Sequence, residues 1–331
     1  MRCFVETTDT ETLGYRLGGL LYMPAFQKHI ADKLEQNSIP GLSSIAFCLE
    51  DSIRDHAVAQ AETALRHTLL ELGERFRPAD RLPLIFIRIR TPEHWEHLHN
   101  AYGDVNELIT GYILPKFDLS NAAAYLKTFS GLRRNSGRPL YIMPILESVQ
   151  IADASTRISA LTELRSMLDE IRPHVLNIRV GCNDFSQIYG LRCPIHSTVY
   201  DIGILRDILT DILSIFAKDY IVAGPVWNYF GQDPDGAWAK GLRRELELDR
   251  LSGFIGKSAI HPSQIPLIAQ SLSVTREDYD DACALLDWKE ELRGVSKSAR
   301  GTRMNEVKCH AKWALRTKLL GDIYGIREEL G

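Results

Sequence analysis

Eight short apolar runs, separated by segments of helical period, constrain this chain more than any other feature. The runs are LLYMPAF (20–26), SSIAFCLE (43–50), PLIFIRIR (83–90), GYILPKF (111–117), PLYIMPILE (139–147), VLNIRVG (175–181), YIVAGPV (220–226) and GFIGKSAI (253–260). Between them, apolar residues recur at helical spacing. One such stripe is Val58, Ala61, Leu65, Leu69 and Leu72; another is Ile158, Leu161, Leu164, Leu168 and Ile171; a third is Leu205, Ile208, Ile212 and Ile215. A strand followed by a helix, repeated eight times, gives parallel strands joined by crossovers, and eight such units close into a (β/α)8 TIM barrel of the α/β class. An open doubly wound sheet is the alternative. Its dinucleotide-binding form is weakened because no G-x-G-x-x-G follows the first run.

The repeat is expected to span 18–271 as the catalytic domain. After Ser271 the pattern changes. Thr275 is placed to cap a helix running to about Leu292, a Gly/Ser/Lys/Arg-rich stretch follows from Gly294 to Arg303, and Met304 to Glu329 again reads as helical. This makes 272–331 a C-terminal helical extension, expected to pack on a neighbouring subunit. The full 331 residues accommodate one barrel of about 250 residues plus such a tail.

Charge and cysteine usage exclude several functions. With 39 Lys+Arg against 43 Asp+Glu, the net charge of −4 offers no basic field for nucleic acid. The start, MRCFVETTDTETLG, carries charges where a signal peptide needs an apolar core, and no stretch of about 18 uncharged apolar residues occurs. A cytoplasmic protein with no membrane partner is expected. Cys3, Cys48, Cys182, Cys193, Cys283 and Cys309 form no C-x-x-C pair and read as reduced thiols. Cys182, in a Gly-rich turn, is a candidate nucleophile, but no histidine lies near it in sequence.

In a barrel, active sites gather where strands end in loops, so polar residues at run ends matter most. Ile85, Ile87 and Ile89 share one face, which directs Phe86, Arg88 and Arg90 inward. An inward guanidinium must meet an anion, either an internal carboxylate or a carboxylate-bearing substrate. By the same alternation Ala46, Cys48 and Glu50 point inward, with Asp51 at the loop, and Glu147 ends the inward stripe of Tyr141, Met143 and Ile145. Asp184 follows the turn Gly181-Cys182-Asn183 at the same rim. Asn177 and Arg179 are polar in an apolar run, and alternation leaves their direction open.

Carboxylates converging on one rim repel unless a proton or cation lies among them. Glu147 and Asp184 are all-oxygen ligands of the kind that suits Mg²⁺ or Mn²⁺ better than zinc, though helix capping or salt bridging would use the same acids. His94, His97 and His99 resemble a metal cluster but fit a polar helix surface better. Lys116 and Lys257 are candidates for Schiff-base chemistry, or alternatively buried counter-ions to the acids. His261-Pro262 reads as a helix start.

The stretches LYMPA (21–25), CLEDSI (48–53), IRI (87–89), LPKFD (114–118), ILES (145–148), VGCNDFSQIYG (180–190) and GFIGKSAIHPSQI (253–265) resemble, in this order, the citrate lyase beta-subunit family and its relatives, the malyl-coenzyme A lyases and hydroxy-acid aldolases. The resemblance covers residues 18 to about 290. It implies a Mg²⁺-dependent TIM-barrel carbon–carbon lyase acting on a small keto- or hydroxy-carboxylate or its thioester, assembled as a homo-oligomer, a trimer or hexamer. It also implies Glu147 and Asp184 as metal ligands, Arg88 as the arginine that binds substrate oxygens and steadies the enolate, and Glu50 and Asp51 as acids holding metal-bound water. Asn183 and Lys116 fall among the substrate-binding residues.

The chain departs from the pattern in four places. Ala25-Phe26-Gln27-Lys28 stands where relatives carry a basic pair linked to coenzyme A phosphates, which weakens the case for a coenzyme A thioester. Cys48 replaces an Asp. Asn305 occupies the position of a C-terminal catalytic acid, with Glu306 beside it as a substitute. NYFGQDPDGAW (228–238) is an unusual insertion, expected to form a loop over the site. These departures keep a non-catalytic ligand-binding barrel open as a further reading.

Overall fold

A computed structural model describes residues 10–76, 82–289 and 293–328. Cys3 and Leu292 lie outside the described residues. Two compact units result, one ending at Ile268 and one beginning at Ala269.

The first unit is the barrel. Its strands are β1 (Gly19–Pro24), β2 (Ser44–Cys48), β3 (Leu84–Arg88), β4 (Gly111–Leu114), β5 (Tyr141–Leu146), β6 (Arg179–Val180) and β7 (Lys257–Ala259). They form one curled sheet in the order β6-β5-β4-β3-β2-β1-β7, and every pairing is parallel. The run 220–226 fills the gap between β6 and β7 through bridges of Val222 to Ile178 and of Gly224 to Lys257. Its backbone bonds, Ala223 N to Ile178 O at 2.9 Å and Gly224 N to Gly256 O at 2.9 Å, close the ring. All eight apolar runs therefore stand around one barrel in chain order.

Strand alternation decides which residues fill it. Leu20, Ala46, Phe86, Ile113, Tyr141, Met143 and Ile145 pack together in the interior, joined by Leu13, Leu17 and Leu176. The opposite faces, with Ile45, Phe47, Ile85, Ile87 and Ile142, are fully buried as well, as expected where helices cover a parallel sheet. The covering helices use the predicted stripes. Ala61, Leu65, Leu69 and Leu72 are the buried residues of helix Val58–Arg75. Helix Arg157–Asp169 buries Leu161, Leu164 and Leu168 but leaves Ile158 exposed, because Arg157 takes the buried place beside it and its guanidinium binds the carbonyls of Ile151 and Ala152.

Gly111 shows how closely the strands approach. A Cβ there would lie 2.3 Å from the Tyr141 carbonyl oxygen, so no other residue fits without moving backbone.

In the second unit Thr275 caps helix Arg276–Leu286, its hydroxyl accepting from Asp278 N at 3.1 Å. The next segment differs from the sequence expectation. Val295–Lys297 and Met304–Glu306 pair as an antiparallel hairpin, and the last helix begins only at Val307, running to Tyr324. Ala282, Leu285 and Ala314 form the core between the two helices, and Arg303 ties the hairpin to Asp278 and Asp281 at 2.7 and 2.6 Å. Asn305 and Glu306 both lie in this unit, Asn305 buried within the hairpin. Among the described residues no helix is long and apolar enough to cross a membrane.

Candidate active site

The C-terminal ends of β2, β3, β4 and β5 deliver charged side chains to one place. Arg88, the last residue of β3, points inward and puts one guanidinium nitrogen 2.8 Å from Glu50 Oε2, 3.0 Å from Asp51 Oδ2 and 3.3 Å from Glu147 Oε1. Lys116, just beyond β4, reaches Glu50 Oε1 at 2.6 Å and Asp51 Oδ1 at 3.2 Å with its ammonium. Its backbone N–H donates to Glu147 Oε1 at 2.9 Å. Lys116 achieves both with a left-handed backbone, φ +49°, a conformation that disfavours side chains. One residue thus ties β4 to the acids of β2 and β5.

Burial sets the electrostatics. The Arg88 and Glu147 side chains are only 11% and 3% exposed, whereas those of Lys116 and Asp51 are half exposed. Desolvation works against the Arg88 charge, but Glu147 and Glu50 outweigh it and hold its pKa above the ordinary value. At Glu147 the balance goes the other way. Burial, opposed by Arg88 and reinforced by the neighbouring Asp184, pushes its carboxyl up to about 8. Four acids, Glu50, Asp51, Glu147 and Asp184, meet two cations here, Arg88 and Lys116, and this excess of negative charge adds to the burial that favours the protonated form of Glu147.

Asp184 follows β6 in the first turn of helix Cys182–Ile188 and has no ion pair among the described residues. The preceding Gly181 keeps room beside Glu147, since a Cβ there would lie 2.0 Å from Glu147 Oε2. The two carboxylates, the space kept by Gly181 and the retained proton fit a hard divalent cation that takes its remaining ligands from water and substrate. Among the described residues no group of three or more His, Cys, Asp or Glu side chains is arranged to hold a metal. Asn183, exposed at the same turn, exchanges amide hydrogen bonds with Asn228 at 2.8 and 3.1 Å. This pair joins the 228–238 insertion to the rim beside Asp184. Phe230 of the insertion stacks on His261, ring centroids 4.4 Å apart.

Several expected participants lie elsewhere. Arg90 follows the end of β3 and turns away from Arg88, clamping the carbonyls of Leu49, Glu50 and Ile53 and pairing with Asp55. It shapes the acid-bearing loop without entering the site. His94 accepts from Arg90 N and binds Glu62 at 2.8 Å, while His99 meets the Tyr112 hydroxyl; no metal cluster forms. Cys182 is buried, and desolvation pushes its thiol well above the ordinary range, the opposite of an activated nucleophile.

Lys257 faces the helix layer, not the interior acids. Its ammonium lies 2.8 Å from Glu245 and 2.7 Å from Asp249, all three side chains buried. Although desolvation opposes its charge, Asp249 and Glu245 raise its pKa, which favours the ammonium over the neutral amine that Schiff-base chemistry needs. Replacing Lys257 with alanine is expected to destabilise the barrel by ~3–5 kcal/mol, because two buried carboxylates lose their partner, and to leave Mg²⁺ binding unchanged. Chemical denaturation and calorimetry read the two effects separately.

Two further interior residues are Arg179, whose direction the sequence left open, and Tyr22, which the sequence did not single out. Arg179 is buried with its guanidinium against Ser258 and Tyr22, and Tyr22 lies within electrostatic reach of Arg179, Arg88 and Glu147. The available signal was an arginine inside an otherwise apolar run.

Comparison with known proteins places this geometry. The family model described as C–C bond lyase of the TIM-barrel fold matches residues 11–326. Among solved structures, a citrate lyase from Burkholderia xenovorans is 15% identical, with TM-score 0.70, covering 95% of this chain and 94% of that one. CitE from Mycobacterium tuberculosis, in complex with magnesium, acetoacetate and coenzyme A, is 19% identical with TM-score 0.55, covering 91% and 97%. RipC from Yersinia pestis is 20% identical with TM-score 0.53, covering 78% and 95%. Comparison with curated protein sequences gave no match. With the family model spanning nearly the whole chain and an eight-membered parallel ring carrying acids and an arginine at its strand ends, this chain belongs to the C–C bond lyase family of the TIM-barrel fold.

Proposed function

We propose that the protein is a Mg²⁺-dependent lyase that cleaves or forms a carbon–carbon bond beside the carbonyl of a small keto- or hydroxy-carboxylate. The observation that carries this reading is the single Arg88 nitrogen shared by Glu50, Asp51 and Glu147, with the buried Glu147 carboxyl pushed up to about 8. Glu147 and Asp184 would hold the ion, with Mn²⁺ as a substitute. When bound, it supplies positive charge to the enolate oxygen that develops as the bond breaks.

The chain's own residues do the remainder. Arg88, desolvated and already aimed by three carboxylates, donates to the developing oxyanion, where a fixed charge is worth more than in water. Asp51, half exposed, accepts the proton of the substrate hydroxyl as the carbon–carbon bond cleaves to a new carbonyl and an enolate. Lys116 holds Glu50 and Asp51 in place by hydrogen-bonding both. Asn183 and Lys116 border the mouth and bind the substrate carboxylate.

A free carboxylate is proposed in preference to a coenzyme A thioester, since Ala25-Phe26-Gln27-Lys28 follows β1 without a basic pair. CitE from M. tuberculosis, which shares the fold, holds both magnesium and coenzyme A, so thioesters belong in the test panel. Under the same reading the second unit packs on a neighbouring subunit of a homo-oligomer.

The test combines metal and trapping chemistry. Cleavage of a panel of hydroxy- and keto-carboxylates and their thioesters is measured with Mg²⁺, with chelator, and with borohydride in each condition. Turnover that vanishes in chelator without a borohydride adduct is expected. A lysine adduct formed in chelator would replace this reading with Schiff-base chemistry, and binding without turnover of any compound would make the protein a ligand-binding barrel.

A further inference from the structure

The barrel interior contains a second cationic position that the lyase reading does not use. Arg179 is in register with Ile145, and the next pair is Leu146 with Val180, so Arg179 stands one inward position before Gly181, the residue beside Glu147. Its residue is 1% exposed. One guanidinium nitrogen donates to Ser258 Oγ at 2.6 Å, the Tyr22 side chain adds a hydrogen-bonding interaction with its ring centre 5.7 Å from the guanidinium carbon, and Nε has no acceptor. Among the described residues no carboxylate pairs with it.

This sets Arg179 apart from the other buried cations of the barrel. Arg88 has Glu50 at 2.8 Å, Arg157 has Asp211 at 2.8 Å, and Lys257 has Asp249 at 2.7 Å. A hydroxyl and an aromatic face do not neutralise a guanidinium taken out of water, and an unmatched buried donor adds to that penalty. Burial accordingly pulls the Arg179 pKa down, against the attraction of Tyr22. Tyr22 is within electrostatic reach of Arg88 and Glu147 also, so Arg179 and the rim cluster border one interior.

We propose that Arg179 is a second anion-binding subsite, filled by a carboxylate at the far end of the substrate. This deepens the lyase reading and rests on it: the substrate carries two anionic ends, one at the Arg88 and Lys116 rim and one at Arg179. The planar fork with Nε free matches a carboxylate taken side-on, two N–H donors to two oxygens.

The test compares oxaloacetate, with two carboxylates, and pyruvate, with one, by calorimetry in Mg²⁺. Wild-type protein is expected to bind oxaloacetate at least tenfold more tightly than pyruvate. Arg179→Met is expected to lose that preference while pyruvate affinity changes less than about twofold and the ligand-free melting temperature does not fall, because an unpaired buried charge has been removed. Arg179→Lys keeps the charge and guards against misfolding of the methionine variant; it is expected to retain part of the preference. Ser258→Ala, which frees a further donor, is expected to preserve it. The inference is overturned if wild-type protein shows no preference, if both variants keep it unchanged, or if they lose both ligands together with thermal stability, which is the behaviour of a structural arginine. Titration with Mg²⁺ alone separates the two readings. Absent Mg²⁺ binding removes the lyase reading and the subsite that rests on it; intact Mg²⁺ binding without that preference removes only the subsite.

Discussion

Arg88→Ala is expected to reduce kcat/KM by about 10²–10³-fold and to destabilise the barrel at the same time. The two losses share one cause. The guanidinium is the common partner of Glu50, Asp51 and Glu147, and of these Glu50 and Glu147 are almost wholly buried. Removing a buried partner leaves the buried Glu50 to rely on the half-exposed Lys116, a change worth ~3–5 kcal/mol. Arg88→Lys separates the contributions, because an ammonium preserves the charge but ends on a different side-chain stem and cannot present the donors of a planar guanidinium to the substrate. The lysine variant should recover most of the stability and little of the rate. Steady-state kinetics on the identified substrate and urea denaturation supply both readings, and an alanine variant with wild-type kinetics would sink the assignment.

Glu147→Gln should abolish measurable Mg²⁺ binding, exceeding the ~10–100-fold loss that follows from removing a residue which merely supports a metal ligand. The pH dependence gives a sharper form of the same prediction. A cation must displace the proton that Glu147 holds up to about pH 8, so Mg²⁺ affinity is expected to climb with pH and level off above 8. Stability moves in the opposite sense when the metal is absent. The folded pKa lies above the value of roughly 4.3 for an unfolded glutamate, so the folded state binds the extra proton. The contribution is complete below pH ~4.3 and is lost as pH rises towards the folded value. The melting temperature of metal-free wild type minus that of Glu147→Gln should therefore fall across this window, and saturating Mg²⁺ should suppress the fall. A difference independent of pH would show that Glu147 titrates as an ordinary surface carboxylate.

The barrel was legible because pleating enforces alternation wherever a strand is regular. Ala46, Phe86, Tyr141, Met143 and Ile145 took the inward places that alternation assigned, and Arg88 followed them. Arg90 did not, since β3 ends at Arg88 and beyond that point the pleat no longer dictates direction. Lys257 was misplaced for a related reason. GFIGK has no alternating apolar face to set its parity, and its partners Glu245 and Asp249 occupy one turn of a helix where acids ordinarily face water. The strand at Arg179 spans two residues, too few for a pattern, so only the fold reveals that its arginine is interior. Carboxylates at strand ends could be listed from the sequence, but that a single guanidinium nitrogen collects three of them depends on the curl of the sheet.

Lys116 carries a consequence for protein engineering. Its left-handed backbone costs about 1–2 kcal/mol relative to an unstrained residue, and glycine would relieve that strain. The half-exposed ammonium offers little stability in return, since exposed pairs are worth ~0–1 kcal/mol. A library sorted for heat resistance alone would accordingly drift away from lysine here. Its survivors would be sturdier barrels with an untethered acid pair, and selection for thermal endurance would silently discard the tie between β4 and the acids beyond β2.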